Sequence, residues 1–143
     1  MSKLKNLIST ETVGWVKYPD IKDFEVQIKF ITREDLIKVR KASLKIAFNK
    51  KTRQKEEEVD TDLFLEKYAE RAIKDWRGLK LKHLPKLLPV NIAGMNGEEE
   101  VPFGMEDAVD MLKNSADFDA FLTDTLADYE AFVEDTKVDN IKN

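Results

Sequence analysis

Between Phe24 and Phe30 the chain alternates apolar and polar residues without a break (FEVQIKF). That is the period of a strand with one buried face. A second strand is expected over Thr10–Tyr18, and Tyr18-Pro19-Asp20 supplies a turn. Residues 10–30 therefore read as a β-hairpin with one face on a core. A lone hairpin is marginal in water and must pack on something.

The period then changes. Thr32 is placed as a helix N-cap, with Glu34 and Asp35 suiting the positive end of the dipole. Leu36, Val39, Ser43 and Ala47 form one row, flanked by Ile37, Leu44 and Phe48, which predicts a helix to about Phe48. Residues 49–58 are polar and read as an exposed loop. Leu65, Tyr68, Ala69, Ala72 and Trp76 predict a second helix from about Thr61 to Arg77, with Gly78 as its C-terminal cap. Residues 79–101 are broken by Pro85, Pro89, Gly94 and Gly97. A short helix is expected at 105–113. The last helix, from Ser115 to about Asp135, carries Phe118, Phe121, Leu122, Thr125, Leu126, Tyr129, Phe132 and Val133 at helical spacing.

The expected fold class is α+β but mainly α-helical: an N-terminal β-hairpin packed on about four helices, with a long amphipathic C-terminal helix. The expected organisation is a flexible N-terminus (1–9), one globular domain (10–135) and a flexible tail (136–143).

Charge adds what the pattern lacks. The net charge of −4 conceals a gradient. Residues 1–55 carry 14 basic and 6 acidic side chains, residues 56–97 carry 7 and 8, and residues 98–143 carry 3 and 14. Such asymmetry marks either an interaction surface or two ends that neutralise each other in the fold. Complementary ends would also allow self-association. The chain has no cysteine, which removes disulfides, thiol catalysis and sulfur-ligated zinc. No apolar run approaches a membrane span, and the first ten residues lack the apolar core of a secretory signal. The expectation is a cytoplasmic protein that does not enter a membrane.

Catalytic constellations are not found. The single histidine, His83, sits in the lysine-rich, proline-broken stretch KDWRGLKLKHLPKLLPV (74–90), where a structural or exposed role is the simpler reading. Asp117 and Asp119 point apart on a helix and cannot chelate together. No phosphate-binding glycine loop is present. The expectation is a non-enzyme with no cofactor and no metal. Two stretches could bind something. Lys45, Lys50, Lys51, Arg53 and Lys55 form a basic cluster of the kind that contacts phosphate. Glu56-Glu57-Glu58 follows at once and would repel a nucleic-acid backbone, so a solvated loop is preferred. In the last helix, Phe118, Phe121, Leu122, Tyr129, Phe132 and Val133 could dock a partner helix instead of, or besides, filling the core.

Several phrases carry a resemblance. They are Gly14-Trp15-Val16-Lys17-Tyr18-Pro19, Phe24-Glu25-Val26, Thr32-Arg33-Glu34-Asp35-Leu36, Phe48-Asn49-Lys50-Lys51-Thr52-Arg53-Gln54, Ile73-Lys74-Asp75-Trp76-Arg77-Gly78-Leu79, and Asn114-Ser115 before Asp117-Phe118-Asp119. In order and texture, residues 12–135 resemble the tail assembly chaperones of long-tailed bacteriophages. The resemblance implies a non-enzymatic protein, α-rich with little sheet. It would act in the host cytoplasm, binding the tape measure protein and assisting tail tube protein to polymerise around it. The alternatives are a structural tail-completion or connector protein of the virion and, more remotely, a nucleic-acid-binding regulator using residues 45–55.

Overall fold

A computed structural model describes the backbone of residues 13–142 and the side chains of residues 13–129. The segment 1–9 lies outside the described residues, as do the side chains of the expected tail 136–143. The order of elements is β1 (Val13–Lys17), β2 (Glu25–Lys29), α1 (Arg33–Ala42), β3 (Leu44–Asn49), β4 (Gln54–Val59), α2 (Thr61–Ala72) and β5 (Ile73–Arg77). A 3-10 turn (Leu81–Lys86), α3 (Met105–Asn114) and α4 (Ala116–Lys142) complete it.

β1 and β2 pair antiparallel, with Trp15 opposite Gln27. They are not a lone hairpin on a helical bundle. β5 pairs antiparallel with the other edge of β2, giving a three-stranded sheet of order β1-β2-β5. A separate two-stranded sheet, β3-β4, follows α1. The mainly helical architecture is thus corrected to α+β with five strands in two sheets among the described residues.

Two predicted helices end early, for different reasons. The second was expected to reach Arg77, but α2 stops at Ala72 and Ile73 turns to extended backbone, with φ −103° and ψ 121°. Ile73 and Trp76 are three residues apart and both buried, a spacing that reads as helical. In a regular strand they would face opposite sides. The pairing of β5 skips Lys74: Ile28 faces Ile73 while Gln27 faces Asp75. This bulge inserts one residue and returns both large side chains to the core face. Gly78 is accordingly not a helix cap. Its φ is +76°, and a Cβ there would stand 1.8 Å from the Asp23 carbonyl oxygen.

The first helix was expected to reach Phe48. The buried Ser43 instead donates its hydroxyl to the Val39 carbonyl (2.7 Å), and its own carbonyl accepts from Asp60 N–H (2.8 Å). Beyond it, Leu44, Ile46 and Phe48 alternate with Lys45, Ala47 and Asn49, and the chain pairs residue for residue with Gln54–Val59. The expected loop at 49–58 is the turn and return strand of this hairpin.

Phe24, Val26 and Ile28 are fully buried, as are Ala69, Ala72 and Ile73 from α2 and β5. The two alanines let α2 lie close against the sheet. Ala108, Met111 and Leu112 of α3 and Phe118 and Leu122 of α4 close the core. Trp76 packs edge-on to Phe103, with centroids 5.1 Å apart, and its indole N–H donates to the Val101 carbonyl (2.9 Å). This pins the irregular 79–103 segment to the sheet. Thr32 and Asp35 cap α1 reciprocally, and the buried Asp35 also accepts from Arg71 of α2 at 3.2 Å.

Gly78→Ala is expected to destabilise the protein by about 2 kcal/mol or more, because positive φ and a backbone clash coincide. Chemical denaturation followed by circular dichroism measures it. A loss near zero would mean that Asp23 and Gly78 are not held at this approach.

Candidate functional site

The β3–β4 hairpin is the most anomalous surface. Ile46 is 71% exposed and Phe48 62%, and Leu44 is also exposed. Alternation places all three on one face, with Val59, Glu57 and Lys55 opposite them on β4. The other face is polar. Lys45 lies 3.8 Å from Glu58, and the Asn49 amide donates to Glu56 at 3.1 Å. The two strands make their principal contacts with each other, so the apolar row stands away from the core. A row of large apolar side chains with a charged rim is the usual composition of a protein-binding surface.

The turn is built to hold this arm in shape. Asn49 Oδ1 accepts from the N–H groups of Lys51 (2.9 Å) and Thr52 (3.3 Å). Arg53 takes a left-handed φ of 57°, and its N–H donates to the Asn49 carbonyl at 2.7 Å.

The basic cluster does not form one patch. Lys50, Lys51 and Arg53 sit at the tip, whereas Lys45 and Lys55 project from opposite faces. Of the C-terminal stripe, Phe118 and Leu122 are fully buried. Phe121 packs on Tyr18 (4.9 Å between centroids) and Tyr129 on Phe30 (4.5 Å). The side chains of Phe132 and Val133 lie outside the described residues.

Leu44, Ile46 and Phe48 were missed as an exposed surface. The helical row through Leu36, Val39 and Ser43 drew in Leu44 and Phe48 and left Ile46 unassigned. The signal that could have found them is the every-second-residue spacing of Leu44, Ile46 and Phe48 facing the uniformly polar QKEEE across NKKTR.

His83 has a structural part. The backbone N–H of Lys80 donates to its Nδ1 (3.0 Å), closing the start of the 3-10 turn. Burial, then Lys82, Lys86 and Lys80, lowers its pKa, so the imidazole is neutral at pH 7. Beyond this turn Glu98 accepts from both Lys80 (2.9 Å) and Lys82 (2.7 Å), clasping the 79–101 segment. Among the described residues, no group of three or more His, Cys, Asp or Glu side chains is placed to hold a metal ion. Nor is any described helix long and apolar enough to cross a membrane.

A family model described as YdaY prophage protein matches residues 33–143, from the start of α1 onward. No curated protein and no solved structure matches the chain.

The hydrogen bonds from Lys82 and Lys80 hold the Glu98 carboxyl down to about 2, against an ordinary 4.5. A depressed carboxylate favours the folded state above its unfolded pKa, and that contribution is lost as pH falls from 4.5 toward 2. The clasp is fully solvated, so salt weakens it. Carboxyl-carbon NMR at low ionic strength is expected to give Glu98 a midpoint near 2, moving up in 1 M NaCl (on the order of a Debye length of 3 Å). An ordinary midpoint at low salt would show that the clasp is not formed.

Proposed function

The chain belongs to the YdaY prophage protein family, and from that premise we propose that it is a non-enzymatic phage tail assembly chaperone. Its client is the tape measure protein, which it keeps soluble in the host cytoplasm while tail tube protein polymerises around it. Two supports stand behind this reading. One is the resemblance in order and phrasing over residues 12–135. The other, which carries it, is the exposed row Leu44, Ile46 and Phe48 on the β3–β4 arm.

A long helical client presents apolar stripes that aggregate in water. A rigid arm carrying three large apolar side chains can cover part of such a stripe. Covering one exposed Ile or Phe yields about 1.5–3 kcal/mol, so the row supplies an affinity that is useful yet reversible. The rim of Glu57 and Lys55 on the same face, and the Lys50, Lys51 and Arg53 tip, keep the uncomplexed arm in solution. Reversibility suits a chaperone that leaves before the tail is complete.

Co-expression with the tape measure protein of the same prophage, followed by affinity capture, tests this. The wild-type chain is expected to recover the client. Ile46→Asp with Phe48→Asp is expected to reduce recovery at least tenfold without changing the circular dichroism spectrum. Lys50→Ala with Lys51→Ala should leave recovery unchanged. Recovery that is absent for the wild type, or equal in the aspartate variant, would defeat the proposal.

A further inference from the structure

α2 separates two clefts of opposite charge. On one side a cleft of about 520 Å³ is lined by Lys29, Lys38, Lys67, Arg71 and Lys74, floored by Val39 and Ala42. On the other a cleft of about 310 Å³ is lined by Glu66, Glu106 and Asp110, together with Met105 and Val109 of α3. Glu70 borders both. The exposed surface of α2 therefore carries two neighbouring ridges, Glu66–Glu70 and Lys67–Arg71, each at i, i+4 spacing. Part of the basic side is braced within the chain. Arg71 is tied to Asp35 at 3.2 Å and Lys74 Nζ donates to the Glu70 carbonyl at 3.1 Å.

We propose that this two-signed face is the contact between two copies of the chain, related by a two-fold axis running along α2. The symmetry decides the pairing. An axis along the helix carries each point to its mirror position across the helix, so the basic cleft of one copy meets the acidic cleft of the other, twice. An axis across the helix would set like charges against each other. The favourable arrangement is isologous and closed, so it stops at a dimer. Ala42, Met105 and Val109 give the contact an apolar component, and complementary charge sets its register and speed of formation. The overall charge gradient of the sequence allowed self-association through complementary ends, with no closed symmetry implied. The local layout on α2 selects a closed pair instead.

Sedimentation velocity between 20 and 500 mM NaCl reads the assembly directly. The wild type is expected to be dimeric at low salt, with Kd rising at least tenfold across that range as screening increases. Reversing the basic side (Lys38→Glu with Lys67→Glu) or the acidic side (Glu66→Lys with Asp110→Lys) should each weaken the dimer at least tenfold. An equimolar mixture of the two reversed chains should dimerise again, because an intact acidic cleft then meets an intact basic one. That recovery also shows that both variants fold. Ile46→Asp with Phe48→Asp should leave the dimer intact, which separates this contact from the client-binding arm. Four results would overturn the proposal. They are a wild type monomeric at every salt, a dimer indifferent to both reversals, no recovery on mixing, and a monomer that binds polyphosphate through the basic cleft.

Discussion

β2 is buried on its core face and flanked on both edges, and the rest of the molecule is arranged around completing it. Val26 and Ile28 are fully excluded from water. Their strand has one edge satisfied by β1, which immediately precedes it in the chain. The other edge needs a partner, since unpaired backbone groups beside a buried strand are costly. β5 is that partner, delivered from far along the sequence by α2. The bulge at Lys74 lets it pair while turning both Ile73 and Trp76 inward.

Other features follow from that pairing. α2 must run straight into β5, and its buried face carries the small Ala69 and Ala72 beside Tyr68. Gly78 must be glycine, because β5 leaves the sheet against the Asp23 backbone. Trp76, held on the core face, becomes the post to which Val101 and Phe103 are fastened. The Lys80–Glu98–Lys82 clasp then closes a segment that has almost no regular structure of its own.

This arrangement leaves two surfaces outside the core's demands. The β3–β4 arm is fixed at its base by Ser43 and Asp60 and otherwise presents an apolar row to solvent. The exposed side of α2 displays opposite charges in adjacent ridges. Both lie within the residues matched by the prophage family, whereas β1 and β2 precede that match. The two surfaces differ in chemistry, one apolar on an arm and the other charged on a helix, and can be occupied independently.

Much of the fold was legible from local order alone. The Thr32 cap, the helix expected at 105–113 and the start of the last helix at Ser115 rest on contacts within a few residues, and the β1–β2 pairing on a short hairpin connection. So did the charge gradient and the basic cluster, although not their placement in space. Two segments were decided by tertiary structure. Ile73–Arg77 has helical spacing, and only the open edge of β2 makes it a bulged strand. Leu44–Asn49 fits either a helix or an alternating strand. Its pairing with Gln54–Val59, and the stop that buried Ser43 imposes on α1, resolve it. The apolar–polar pattern encodes which residues tend inward, but a strand's second edge and a surface's exposure are properties of partners distant in sequence. No local period records them.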